Sequence, residues 1–189
     1  MPQLIRNRSL VDDYHYGRLQ YQALVAGLRA RAEQLAGDPP AALAAQTRRV
    51  GLLEKRLDES GADEDRLDLA QAYHQLAKLE QAAQQSTAAA RALERGLELS
   101  GEFDANTGSE VNDTGLMLLR AYAELHLYGG VPLGALKRDL NAELRRSYEA
   151  ICKYRSPRWA QQRFLFKTYL AELELAPQTL TQNQRDQSP

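Results

Sequence analysis

Apolar residues recur every three or four positions over most of the chain, the spacing that places them on one face of an α-helix. Runs rich in Gly, Pro, Ser or Asp divide this pattern into segments. The segments predict seven helices, at about 11–36, 39–59, 64–79, 80–99, 116–128, 135–154 and 157–176. The longest interruption, 101–115, predicts a loop. Val, Ile and Thr are scarce, which disfavours strands.

One phrase recurs in these helices: a leucine, an apolar residue, any residue, a small residue and a tyrosine. It ends at Tyr73, Tyr122 and Tyr169, which are 49 and 47 residues apart. A second phrase, "LEKRL" from Leu53, returns as "LERGL" from Leu93. Such repetition predicts helix pairs of about 40 to 50 residues that stack on one another, since one pair cannot bury its apolar face alone.

The repetition predicts that Tyr73, Tyr122 and Tyr169 occupy equivalent places on the first helices of successive pairs. A weaker copy lies at 19–24, where "LQYQAL" precedes Tyr73 by 52 residues. The alternative is that Ala-rich helices share short words by chance.

The fold expected from these patterns is all-α. Antiparallel helix pairs would stack as a short right-handed α-solenoid of about seven helices. Residues 1–176 would form a single helical-repeat domain. The polar segment 177–189 has no periodicity, so we expect a disordered tail there.

The segment around Tyr73 resembles a tetratricopeptide repeat. Leu69, Ala70, Tyr73, Ala82 and Ala89 stand at the offsets that this family uses on its helix pair. The repeat length here exceeds the family's, which is about 34 residues, and the family's glycine position is never Gly. The resemblance covers about 64–176. It implies a concave protein-binding surface lined by the first helix of each pair.

Composition indicates the cellular compartment. Cys152 is the only cysteine, which excludes a disulfide framework and favours a reducing compartment. No run approaches the roughly 20 apolar residues of a membrane span. The N-terminal segment carries no apolar stretch of signal-peptide length. We therefore expect a cytoplasmic protein that does not associate with membranes.

Charge is unevenly distributed along the chain. Residues 61–134 hold five basic and twelve acidic residues, whereas 135–170 hold nine basic and three acidic ones. The basic segment, interleaved with aromatic residues, predicts a partner-binding surface formed by Arg145, Arg146, Lys153, Arg155, Arg158, Trp159, Arg163 and Lys167.

Three interpretations of that segment stay open. Its charge suits an acidic protein surface or segment. Basic plus aromatic side chains at 137–167 also suit single-stranded nucleic acid, although the acidic middle of the chain would repel phosphates. The third interpretation is a solvated face over an aromatic core, in which Trp159 packs against the preceding helix pair.

No arrangement of residues in the sequence points to catalysis. His15, His74 and His126 are scattered, and no cysteine or acidic pair stands near them at the spacing of metal ligands. The sequence thus predicts neither enzyme activity, nor a cofactor, nor a bound metal. The favoured role is an adaptor, chaperone or assembly subunit that holds another protein. Head-to-tail self-association, basic end on acidic middle, would give a homo-oligomer.

Overall fold

The protein is seen in a computed structural model that describes residues 10–101, 109–154 and 157–185. Within these ranges the chain is helical and contains no strand. The seven α-helices are α1 (Leu10–Ala36), α2 (Pro39–Ser60), α3 (Asp63–Ala82), α4 (Ser86–Ser100), α5 (Ser109–Leu127), α6 (Leu140–Tyr154) and α7 (Ala160–Arg185). None of these described helices is long and apolar enough to cross a bilayer.

Neighbouring helices pack in pairs. α1 packs against α2, and α3 packs against α4. Successive pairs are joined by contacts of α2 with α3 and of α4 with α5. The third and fifth helices also touch, as do the fifth and seventh. The all-α, repeat-like architecture is confirmed, with one difference: α6 packs more extensively against α7 than against α5.

Caps account for several helix ends. The carboxylate of Asp38 accepts a hydrogen bond from the Ala41 N–H at 3.0 Å, and two prolines form the first turn of α2. At the other end Gly61 adopts φ 60°, a left-handed conformation that glycine adopts without strain. Asp139 caps α6 by accepting from the Ala142 N–H at 3.0 Å. α6 therefore begins five residues later than predicted.

The predicted loop at 101–115 is wrong over its second half, because α5 begins at Ser109. The polar residues Asn112 and Thr114 suggested an exposed loop, but both are buried in this helix. Gly115 lies against the end of α4, with the Ser100 hydroxyl 3.5 Å from where a Cβ would stand, which is an ordinary contact distance. Residues 102–108 lie outside the described residues.

The predicted end of the last helix, before Pro177, is also wrong. α7 continues to Arg185. A proline inside a helix removes one backbone hydrogen bond, but here the helix continues past it. The division into a domain at 1–176 and a disordered tail stays a prediction.

Each repeated tyrosine donates a hydrogen bond to a glutamate on an earlier helix. The Tyr73 hydroxyl lies 2.5 Å from Glu54 Oε1 on α2, and the Tyr122 hydroxyl lies 2.6 Å from Glu94 Oε1 on α4. Glu54 and Glu94 are the second residues of the two matching "LE" phrases. The two sequence repeats therefore meet in space as one repeated contact.

The remaining copies of the phrase differ. Tyr169 donates at 2.7 Å to Glu124, which lies on α5 rather than on α6. Tyr21, in the weaker copy, is exposed and makes no such bond among the described residues. Equivalence of position is thus supported by contacts for Tyr73 and Tyr122. Tyr169 also lies on a first helix, α7, but its glutamate partner is on another first helix, α5, and not on the second helix of the preceding pair.

Close backbone approach holds the middle of the array together. A Cβ placed on Gly96 of α4 would lie 2.7 Å from Leu118 Cδ2 and 3.3 Å from the Ala70 carbonyl oxygen. Both distances are too short for an ordinary carbon contact, so only glycine fits without movement. Gly96 thereby allows α3, α4 and α5 to converge over the buried leucines of the core.

A buried polar cluster ties α1, α2 and α3 at one corner. Asp65, which is 1 % exposed, pairs with Arg56 and accepts from the hydroxyls of Ser60 and Tyr16. Arg56 also binds Asp68 at 2.6 Å. Burial alone would raise the pKa of Asp65, but the hydrogen bonds from these partners and the Arg56 charge lower it. The cluster is therefore a buried ion pair, in which the Nε of Arg56 has no hydrogen-bond partner among the described residues.

Removing the Tyr122 hydroxyl should cost more stability than removing that of Tyr73. Tyr122 is 0 % exposed, and its partner Glu94 is buried, whereas the bond of Tyr73 to Glu54 is exposed. In Tyr122→Phe the Glu94 carboxylate keeps only the Lys137 N–H, at 2.7 Å. We expect a loss of about 1–3 kcal/mol in urea unfolding for Tyr122→Phe and about 0.5 kcal/mol for Tyr73→Phe. Equal losses would contradict the buried contact.

Breaking the buried ion pair should be severe. Asp65→Asn leaves the Arg56 charge without its main counter-ion, and we expect a loss of about 3–5 kcal/mol in unfolding free energy. The matched control is Asp63→Asn, since the Asp63 side chain is 94 % exposed and should change stability by less than about 0.5 kcal/mol. Thermal and urea unfolding measure both variants. A wild-type-like Asp65→Asn would show that the pair does not hold this corner.

Candidate functional site

The described basic residues among those predicted to bind a partner lie on the last two helices and on the short turn just before α7, and carboxylates already pair with two of them. Arg145 is exposed and binds Glu174 Oε1 at 2.6 Å. Arg158 pairs with Asp113 of α5. These neighbours neutralise part of the positive charge that the linear sequence shows.

The other predicted residues divide by exposure. Arg146, Lys153 and Lys167 are exposed and Arg163 is partly buried, whereas Arg155 lies outside the described residues. Trp159 is only 8 % exposed, and its ring packs in the core with the Arg158 guanidinium 4.9 Å from the ring centroid. Because the ring is buried, no nucleic-acid base can stack on it, so Trp159 is a packing residue.

A second basic surface lies at the opposite, N-terminal end of the fold. α1, α2 and α3 line a groove with about 940 Å³ of empty space, part of it open to solvent. Arg31 of α1, Arg49 of α2 and Lys78 of α3 face into it. None of the three forms an ion pair with a carboxylate of the described residues. We call this surface, with its four lining glutamines, the basic groove.

The glutamines of the basic groove supply neutral donors and acceptors. Gln34 and Gln75 are exposed at its rim. Gln46 is buried at its base, where its Nε2 donates to the Ala72 carbonyl oxygen at 2.8 Å and fixes the amide. Gln71 reaches toward Thr114 at 3.4 Å. Amides and cations together suit the carboxylates and backbone of an extended peptide.

Arg49 is the most constrained cation of the groove. It lies against Gly27 of α1, where an added Cβ would come within 3.0 Å of its Cδ. Burial lowers the pKa of Arg49, and the charge of Asp68 only partly offsets this effect. A partly buried guanidinium without a paired carboxylate gains free energy when an anion binds beside it. Arg49 is therefore the groove residue most favourable to an acidic ligand.

His74 lies on α3, one turn before Lys78, and is 3 % exposed. Burial is the main cause that lowers its pKa to about 4; the Lys78 charge adds to the effect, and Glu124 opposes it. The imidazole is thus neutral at pH 7. The part of the chain that the structure describes contains no group of three or more His, Cys, Asp or Glu residues placed to hold a metal ion.

Sequence reasoning missed the basic groove because its cations come from three helices. Arg31, Arg49 and Lys78 are spread over 48 positions, and residues 31–78 hold more acidic than basic residues. The available signal was the position of each on the polar face of its helix, combined with the pairing of successive helices. That pattern places residues on a face but does not show which exposed faces share a groove.

Comparison of this chain with known proteins identifies no relative. No protein-family model, no curated protein and no solved structure matches this chain significantly.

The buried neutral histidine predicts a loss of stability in mild acid. An unfolded His74 takes up a proton below about pH 6.5, whereas the folded residue does so only near pH 4. Its contribution to stability is therefore complete above pH 6.5 and is lost as the pH falls toward 4. The total is on the order of 3 kcal/mol.

Urea unfolding at pH 7 and pH 4.5 measures this effect. The unfolding free energy of the wild type should fall more between the two pH values than that of His74→Gln. His15→Gln is the matched control, because His15 is exposed. Identical pH dependence in the wild type and His74→Gln would show that His74 is not held neutral by burial.

Proposed function

We propose that this chain is a protein-interaction module, a tetratricopeptide-like adaptor, chaperone or assembly subunit without catalytic activity of its own. Its ligand is an acidic, extended segment of another protein, bound in the basic groove. The observation that carries the proposal is the partly buried Arg49, which has no ion-pair partner among the described residues and faces the groove with Arg31 and Lys78.

The groove favours a peptide over a folded acidic surface. Helices border it on both sides, so a ligand must be narrow enough to lie between α1 and α3. The exposed amides of Gln34 and Gln75 can bond to the backbone of an extended chain, while the cations bind its carboxylates. The single cysteine is consistent with the cytoplasm as the place of action.

The exposed cations of the last two helices form a second contact with the same partner, outside the short segment that the basic groove binds. Arg146, Lys153 and Lys167 are exposed and lie on α6 and α7. Nucleic-acid binding through 137–167 is the weaker alternative, because Trp159 is buried and Arg145 and Arg158 are paired with carboxylates.

Fluorescence anisotropy with a labelled ten-residue peptide of alternating Glu and Ser tests the groove. The wild type should bind it more weakly as salt rises. Arg49→Gln combined with Lys78→Gln should weaken binding by about tenfold, equivalent to about 1.4 kcal/mol. The matched control removes the same charge on the other surface, with Lys153→Gln and Lys167→Gln, and should stay within about threefold of the wild type.

Three results would contradict the proposal. One is the absence of peptide binding at low salt. Another is an equal loss in both double variants, which would mean that only net charge matters. The third is tighter binding of a ten-nucleotide single-stranded oligonucleotide that is lost only in Lys153→Gln with Lys167→Gln, which would favour the nucleic-acid alternative.

A further inference from the structure

Exposed apolar side chains concentrate on the first helix. Of ten large hydrophobic residues that are exposed within the described residues, six belong to α1. Four of them, Tyr14, Tyr21, Leu28 and Leu35, stand seven residues apart and are between 61 % and 82 % exposed. Leu24 and Val25 fill the intervening turn. We call these six residues the α1 stripe.

The seven-residue spacing is that of a seam between two helices. Residues seven apart lie nearly one above another after two turns, so the stripe runs along the helix rather than around it. From Tyr14 to Leu35 it extends about 32 Å at the helical rise of 1.5 Å per residue. A ligand that covers such a narrow, straight apolar surface is itself a helix of about 20 residues.

The array shows where this helix would sit. α3, α5 and α7 are each covered by the helix before them, α2, α4 and α6. α1 has no preceding helix among the residues that the structure describes. Beside the stripe, an apolar groove opens between α1 and α2, lined by Tyr21, Val25, Ala26, Ala41, Ala44 and Ala45. It shares Tyr21 and Val25 with the stripe.

Charge indicates the chemistry of the ligand. Arg18 and Arg48 are exposed beside the stripe and its groove and pair with no carboxylate in the described part of the chain. Arg29 lies 3.4 Å from Glu33 and is partly neutralised. A second copy of α1 would bring the same arginines together, whereas a helix flanked by glutamates would complement them.

We propose that the α1 stripe and the adjoining groove form a docking site for an amphipathic, acidic helix of a partner protein. The helix places leucines or similar side chains every three or four residues against Tyr21, Leu28 and the groove alanines, with Glu or Asp beside Arg18 and Arg48. This surface is separate from the basic groove, which lies on the side of α1 that faces α3.

Two synthetic 21-residue helical peptides test the docking site, each used below its self-association concentration. Both carry leucine at the two apolar heptad positions; one has Glu and the other Lys at the flanking positions. The acidic peptide should bind the full chain at least tenfold more tightly than the basic one, and the difference should shrink as salt rises. Leu28→Glu should weaken binding of the acidic peptide at least tenfold.

The matched control is Phe164→Glu, because Phe164 is a similarly exposed apolar residue on α7. It should leave peptide binding within twofold of the wild type. Both side chains are already exposed, so neither variant should change the unfolding temperature. Arg49→Gln with Lys78→Gln should also bind this peptide normally, which separates the result from that of the basic groove.

Several results would overturn the proposal. Equal binding of the two peptides would exclude an acidic helix as the preferred ligand. Normal peptide binding by Leu28→Glu would show that the contact lies outside the α1 stripe. A wild-type dimer in sedimentation equilibrium that Leu28→Glu converts to monomer would identify a second copy as the ligand. Sedimentation of the chain with anionic phospholipid vesicles, lost in Leu28→Glu, would identify a membrane surface instead.

Discussion

A buried tyrosine hydroxyl needs an acceptor, and a buried glutamate needs a donor. Tyr122 and Glu94 satisfy each other across two helices, and Tyr73 and Glu54 form the equivalent bond at a more exposed position one pair earlier in the chain. Because a hydrogen bond tolerates little change in distance, this contact fixes how far α5 can slide along α4. The Lys137 N–H, between α5 and α6, donates to the same Glu94 and thereby ties this connection to α4.

Local periodicity predicted the seven helices and the repeated tyrosine phrase, because both depend on short sequence words; the glutamate partners of these tyrosines were not predicted. Prediction failed where tertiary contacts changed the meaning of a residue. Asn112 and Thr114 are polar yet buried, so part of a helix looked like a loop. Tyr21 matches the repeated phrase but is exposed, because no described helix precedes α1. Pro177 interrupts a sequence pattern without ending the helix.

Linear charge was a poor guide to the binding surface because electrostatic interactions follow distance in space. Glu174 and Asp113 are remote in sequence from Arg145 and Arg158, yet each neutralises one of them. Residues 10–79 show no basic run, but three cations from different helices meet there without a paired carboxylate. Which cations stay unpaired is decided by helix packing, which periodicity alone does not specify.

The first helix differs from the others because it has neighbours on fewer sides. Of its described residues, Leu19 and the small Ala23, Ala26 and Ala30 are buried, while six large apolar residues are exposed. Exposed side chains add almost nothing to the stability of this chain, and a continuous apolar stripe promotes aggregation. Folding therefore does not account for the stripe. Binding of another helix would account for the stripe, since it would give α1 the environment that α3 and α5 already have.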